Sequence, residues 1–173
     1  MQYRTIDRAR RVIEEERNEP DATARRVDVG ACLNAAPALG DALLVERLVS
    51  NLVENALRHN RPTGRADVMV KAGVGHATLR VTNTGPHIPA NQIERLLQPF
   101  QRLDAEREGE QAGLGLGLSI VAAIANSHSA SAQRARWCTD TLSARPGLDG
   151  GLDIEVSFPV PPTTSDIGDN GKP

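Results

Sequence analysis

The chain has 173 residues, a formal net charge of −2 and two cysteines, a length that suits one domain with its own core. Its basic residues are all Arg apart from Lys71 and Lys172, and the near balance of charge excludes a broad electrostatic footprint for nucleic acid. Cys32 and Cys138 lack metal-ligand spacing and lie too far apart to argue for a disulfide, no stretch nears the ~18 apolar residues of a membrane span, and the charged N-terminus lacks a signal-peptide core, so a reducing cytoplasm is expected.

Residues 5–18 carry Ile6, Ala9 and Ile13 three and four apart among charges, which predicts a helix stopped by Pro20 and Asp21. Val27, Val29, Ala31 and Leu33 alternate with Asp28, Gly30 and Cys32, the period of a half-buried strand, before Pro37 and Gly40 break the chain. Asp41 is placed to cap a helix over residues 42–59, with Leu44, Val45, Leu48, Val49, Leu52, Val53 and Ala56 as its apolar stripe. Two strands follow at residues 67–72 and 77–82, joined by Gly73-Val74-Gly75-His76, and in the second Ala77, Leu79 and Val81 face one way.

Residues 85–111 hold one short helix around 92–97 and are otherwise polar and charged, which predicts a mobile segment. Glycines then lead into a helix over 116–127, a strand begins at 141–144, and Leu152, Ile154, Val156 and Phe158 alternate in a last strand. Consecutive strands with short turns predict an α/β two-layer sandwich: a mixed, largely antiparallel sheet covered on one face by about three helices. Residues 1–160 form the expected domain, with an inserted stretch at about 131–140 that holds Trp137 and Cys138, and a disordered tail at 161–173.

Asn51 and Asn55 stand four apart on one helix face, and Arg58 and His59 continue it, so amide oxygens, a cation and an imidazole converge as they would on a metal-bound phosphate. Gly113-Leu114-Gly115-Leu116-Gly117 opens a later helix, supplying backbone N–H groups and a dipole end that favour phosphate oxygens. It lacks the Gly-Lys-Ser/Thr ending of a Walker loop.

Read with Asn83-Thr84-Gly85-Pro86-His87-Ile88-Pro89 and Pro99-Phe100-Gln101-Arg102, these runs give four motifs in order. Together they resemble the N box, first glycine box, F box and second glycine box of the ATP-binding catalytic domain of sensor histidine kinases, the Bergerat fold shared with gyrase-type and chaperone ATPases. The resemblance implies ATP and Mg²⁺ as cofactors. It implies Asn55 as the Mg²⁺ ligand, Asn51 beside the metal-bound phosphates, Arg58 on phosphate, His59 beside the adenine, and Asn83 and Gly85 at the base. It also implies a lid over about 86–112, anchored by Phe100, with Arg102, and secondly Arg107, as the cation reaching the γ-phosphate. Gly113, Leu114, Gly115, Leu116 and Gly117 would line the phosphates.

Two positions depart from the family's spelling. Asn83 replaces an Asp that accepts from the adenine amino group, and His87 replaces a glycine. Asn51 stands where the hydrolases of the superfamily carry a Glu base, and an amide cannot take a proton from water, so the resemblance favours a kinase. The implied partners are a histidine-bearing dimerisation domain and a response regulator, with no nucleic acid, no membrane contact and a monomeric isolated domain. The first histidine is His59, inside a nucleotide motif, so this chain alone is not expected to autophosphorylate. A stand-alone anti-sigma-type serine kinase and a non-catalytic nucleotide-sensing module are the alternatives. His128 is read as structural.

Overall fold

The structure, a computed structural model, describes residues 2–4, 10–15, 18, 26–39, 41–101, 115–133 and 142–160. Five strands form one sheet in the order β2 (Asp28–Leu33), β4 (Arg65–Ala72), β5 (His76–Asn83), β7 (Leu152–Pro159), β6 (Leu142–Pro146). The β2–β4 pairing is parallel and the other three are antiparallel, giving the expected mixed sheet. Alternation decides its faces. Val68, Val70, Leu79, Val81, Ile154 and Val156 are buried against the two long helices, α1 (Ala42–Arg58) and α3 (Gly117–Gln133).

α1 begins where its sequence says it should: the Asp41 carboxylate accepts from the N–H groups of Leu43 and Leu44 at 2.8 and 3.2 Å. Its stripe of Val45, Leu48, Val49, Leu52, Val53 and Ala56 is buried, joined by Leu57; Leu44, expected in the stripe, is 40% exposed. In α3, Val121 and Ala125 are wholly buried.

Four expectations are corrected. Within the region predicted to be a helix from residue 5, β1 (Gln2–Arg4) is a strand and the described helix covers residues 10–15, with Val12 and Ile13 buried. Pro37 does not merely break the chain, since β3 (Pro37–Leu39) pairs antiparallel with β1; a proline is tolerated at the edge of so small a sheet. α3 does not end near residue 127 but runs to Gln133, into the expected insertion, whose residues 134–140 lie outside those described, as does the tail. The segment read as mobile is anchored through its first half, because Ile88 and Ile93 are buried and Leu96 and Leu97 pack against the core around α2 (Ile93–Leu96).

The sheet's other face is polar. At its centre Asp153, buried between strands, receives Arg80 through Nε at 2.8 Å and Nη2 at 2.6 Å and Arg145 through Nε at 2.8 Å. Burial pushes the Asp153 carboxyl up, but the hydrogen bonds from Arg80 and Arg145, with their charges, outweigh it and hold the group below the ordinary carboxylate value.

Candidate functional site

Of the expected residues that are described, Asn51, Asn55, Arg58 and His59 lie on the C-terminal half of α1 and its cap, Asn83 and Gly85 at and just beyond the end of β5, and Gly115, Leu116 and Gly117 at the start of α3. Asn51 is buried, and its Nδ2 donates to the Arg47 carbonyl one turn back at 2.7 Å. That leaves Oδ1 facing Gly117, the first residue of α3, where a Cβ would stand 3.5 Å away. The asparagine helix and the last glycine of the string, sixty-odd residues apart, are therefore neighbours. A separation of 3.5 Å is ordinary contact, so this approach does not itself demand a glycine.

Asn55 is half-buried, and among the described residues no hydrogen bond engages its amide, so its oxygen is open to a hard cation. Arg58 is exposed and paired within the helix to Glu54 at 2.6 Å. His59 is exposed and closes α1, its N–H donating to Asn55 O at 3.1 Å. Among the described residues no three His, Cys, Asp or Glu side chains gather as for a metal ion, so a cation here would rest on an amide and the ligand's own oxygens.

At the end of β5, Asn83 is buried with its amide doubly engaged: Nδ2 donates to the Thr84 carbonyl at 2.7 Å and Oδ1 accepts from Leu152 N at 3.3 Å. Gly85 is required by close approach, since a Cβ would lie 2.8 Å from the His59 carbonyl and 3.2 Å from Gly151 Cα. Gly151, with φ of 71°, donates to the Pro86 carbonyl at 2.8 Å and ties the β6–β7 turn to the loop after Asn83. His87, in the place of a glycine, is exposed.

Phe100 is 71% exposed at φ 61°, an unusual conformation for an aromatic residue. Its N–H donates to Gly115 O at 3.1 Å, joining the described residues on either side of 102–114. Gly115 itself has φ of 70°, and Leu116 O accepts both Ile120 N and Ser119 Oγ at 2.9 Å in the first turn of α3. Arg102, Arg107, Gly113 and Leu114 lie outside the described residues. His128 is a core residue as expected: buried, with Nδ1 2.9 Å from Ile124 O and its ring edge-on to Phe158 at 5.6 Å.

Sequence reasoning missed Asn60, Thr84 and the Gly150-Gly151 pair. Asn60 is buried, with Nδ2 donating to Ala56 O and Arg65 O at 3.0 and 3.1 Å while Oδ1 accepts the Thr84 hydroxyl at 2.7 Å. The double glycine between two alternating runs was a readable turn signal; nothing local marked Asn60.

Residues 40–162, most of the chain, match the family model described as Histidine kinase-, DNA gyrase B-, and HSP90-like ATPase. The chain belongs to that family. Within this ATPase family it is an ATP-binding catalytic domain of the sensor histidine kinase type, as its relatives indicate. It is 39% identical to the sensor protein CutS of Streptomyces coelicolor over 141 residues, 81% of this chain and 32% of that protein. It is 32% identical to the sensor protein CzcS of Cupriavidus metallidurans over 125 residues, 72% of this chain and 24% of that one. The chain thus spans about a third or less of the length of these relatives. Among solved structures, the mycobacterial sensor histidine kinase MprB shares the fold with a TM-score of 0.71 at 23% identity, over 94% of this chain and 99% of that one. A nucleotide-free catalytic domain of the histidine kinase ThkA does so at 0.70 and 20%, over 94% and 98%. Among the described residues no helix is long and apolar enough to cross a membrane.

Proposed function

We propose that the chain binds Mg²⁺-ATP, with adenine against Asn83 and the phosphates between α1 and the start of α3. It then presents the γ-phosphoryl to a histidine on a dimerisation domain, from which a response regulator takes it. The observation that carries this reading is the meeting of the Asn51 amide with Gly117 at the N-terminal end of α3. The first N–H groups of a helix have no partner within it, and they and the positive partial charge of that end favour phosphate oxygens. Asn55, one turn along the same face and unengaged among the described residues, would hold the cation through Oδ1. Mg²⁺, when bound, neutralises phosphate charge.

The chemistry follows from what Asn51 lacks. Its amide cannot accept a proton from water, and its NH₂ is already committed to Arg47 O. The site therefore holds a triphosphate without activating its hydrolysis, leaving the γ-phosphoryl for a better-placed acceptor. Arg102 would supply the cation on the γ-phosphate, with Phe100 anchoring the lid. The compartment proposed is the cytoplasm, where ATP is available. The likeness to sensor proteins favours the histidine kinase over a serine kinase or a nucleotide-sensing module.

Calorimetric titration with Mg²⁺-ATP tests the site. Asn55→Ala is expected to weaken binding by about tenfold or more, a loss of about 1.4 kcal/mol. Unchanged affinity would remove Asn55 from the metal site.

A further inference from the structure

A half-buried polar network surrounds Thr84 and reaches the Asn83 amide. A free Asn side chain can present either its oxygen or its NH₂ to a base, and the two choices select opposite partners. In this protein the choice is made twice over. Reversing the Asn83 amide would set Oδ1 2.7 Å from the Thr84 carbonyl and Nδ2 3.3 Å from the Leu152 N–H, pairing acceptor with acceptor and donor with donor. Only one orientation satisfies both contacts. Oδ1 then accepts, with a second lone pair to spare.

The lock holds only if the Thr84 carbonyl is itself fixed, and it is. Thr84 N donates to Arg65 O at 2.9 Å, its Oγ1 accepts from Arg65 N at 2.8 Å, and its hydroxyl donates to Asn60 Oδ1 at 2.7 Å. Asn60 is in turn held by Ala56 O at the end of α1 and Arg65 O at the start of β4. Gly64 leaves the room these groups need, since a Cβ there would fall 2.1 Å from Asn60 Oδ1 and 2.4 Å from Thr84 Oγ1.

We infer that Asn60 and Thr84 are positioning residues that set base specificity: they lock the Asn83 amide with its oxygen as acceptor, so that the site selects a 6-aminopurine over a 6-oxopurine nucleotide. The inference rests on the reading of Asn83 as the base-facing residue. An exocyclic amino group donates to the spare lone pair of Oδ1, whereas a 6-oxo group meets it oxygen to oxygen with no proton between them.

The test titrates the full chain, its Thr84→Val and its Thr84→Ser variants with Mg²⁺-ATP and Mg²⁺-inosine triphosphate, with folding followed by thermal melting. The wild type is expected to prefer ATP by about tenfold or more. Thr84→Val, which keeps the shape and removes the hydroxyl, should lose that preference by weakening ATP binding alone, and Thr84→Ser should retain it. An equal loss for both nucleotides would mean a merely structural role and overturn the inference, as would a Thr84→Val variant that keeps the wild-type ratio. If Thr84→Val does not fold, the wild-type Asn83 side-chain amide is followed by nuclear magnetic resonance. A slowly exchanging NH₂ whose signal moves with ATP and not with inosine triphosphate supports the lock, and a fast-exchanging one overturns it. A wild type that binds neither nucleotide overturns the parent reading instead.

Discussion

Replacing Asp153 with Asn should cost stability that depends on pH in a defined direction. The side chain of Asp153 is 9% exposed and accepts three charge-assisted hydrogen bonds, two from Arg80 and one from Arg145. Fully buried bonds of this kind contribute about 1.5–3 kcal/mol each. The arginine side chains are 39% and 57% exposed, however, which draws each contribution toward the ~0.2–1 kcal/mol of surface pairs. Asn keeps the shape but turns one acceptor into a donor facing guanidinium donors, so the expected loss is about 2 kcal/mol. In a protein of this size that is about 4–8 °C in Tm. Because the folded carboxyl is held below its ordinary value, its contribution is present above the unfolded value and is lost as pH falls through the folded one. Denaturant titrations of both proteins at successive pH values from neutrality downward should therefore show a constant gap that closes only beneath the ordinary carboxylate range. A variant within about 0.5 kcal/mol of wild type at neutral pH, or a gap that persists in acid, would refute the reasoning.

Gly151→Ala should destabilise by about 2–4 kcal/mol and weaken ATP binding together. The residue has φ of 71°, and a Cβ there would lie 2.2 Å from the Asn83 carbonyl oxygen and 2.7 Å from Asn83 Nδ2, forcing the turn away from Asn83, the residue proposed to meet the base. Wild-type melting in that variant would contradict the geometry. Arg58→Gln separates two roles of one side chain: losing the exposed pair with Glu54 should change stability by only about 0.3–0.5 kcal/mol. ATP affinity should nonetheless fall several-fold, because the variant loses the cation proposed to reach phosphate, and unchanged affinity would confine Arg58 to the helix surface.

What could be read in advance was what neighbouring residues encode. Asp41 and the leucine–valine stripe specify α1 within a few positions, and the alternation of Ala77, Leu79 and Val81 specifies β5, because caps and periods are local. The pairing of Gln2–Arg4 with Pro37–Leu39 was hidden, since strands of three residues carry no period. Asn60 was hidden for another reason: its value lies in Arg65 and Thr84, which only the fold brings to it. Asn51 stands out in its motif, yet its approach to Gly117 needed the packing of α1 on α3. The burial of Ile88 and Ile93 was masked by the polar residues around them.

The parallel pairing of β2 with β4 also governs how the site comes into being. α1 lies within the connection between these strands, so Asn51 and Asn55 take up their places only once segments such as those of Asp28 and Arg65, 37 positions apart, have met. The Asn83–Leu152 bond spans 69 positions. Contacts of such separation form slowly. A partly folded chain would carry every motif and no cradle. A nucleotide that binds only the finished state would draw the population toward it, so that filling the proposed site would also favour the completed fold.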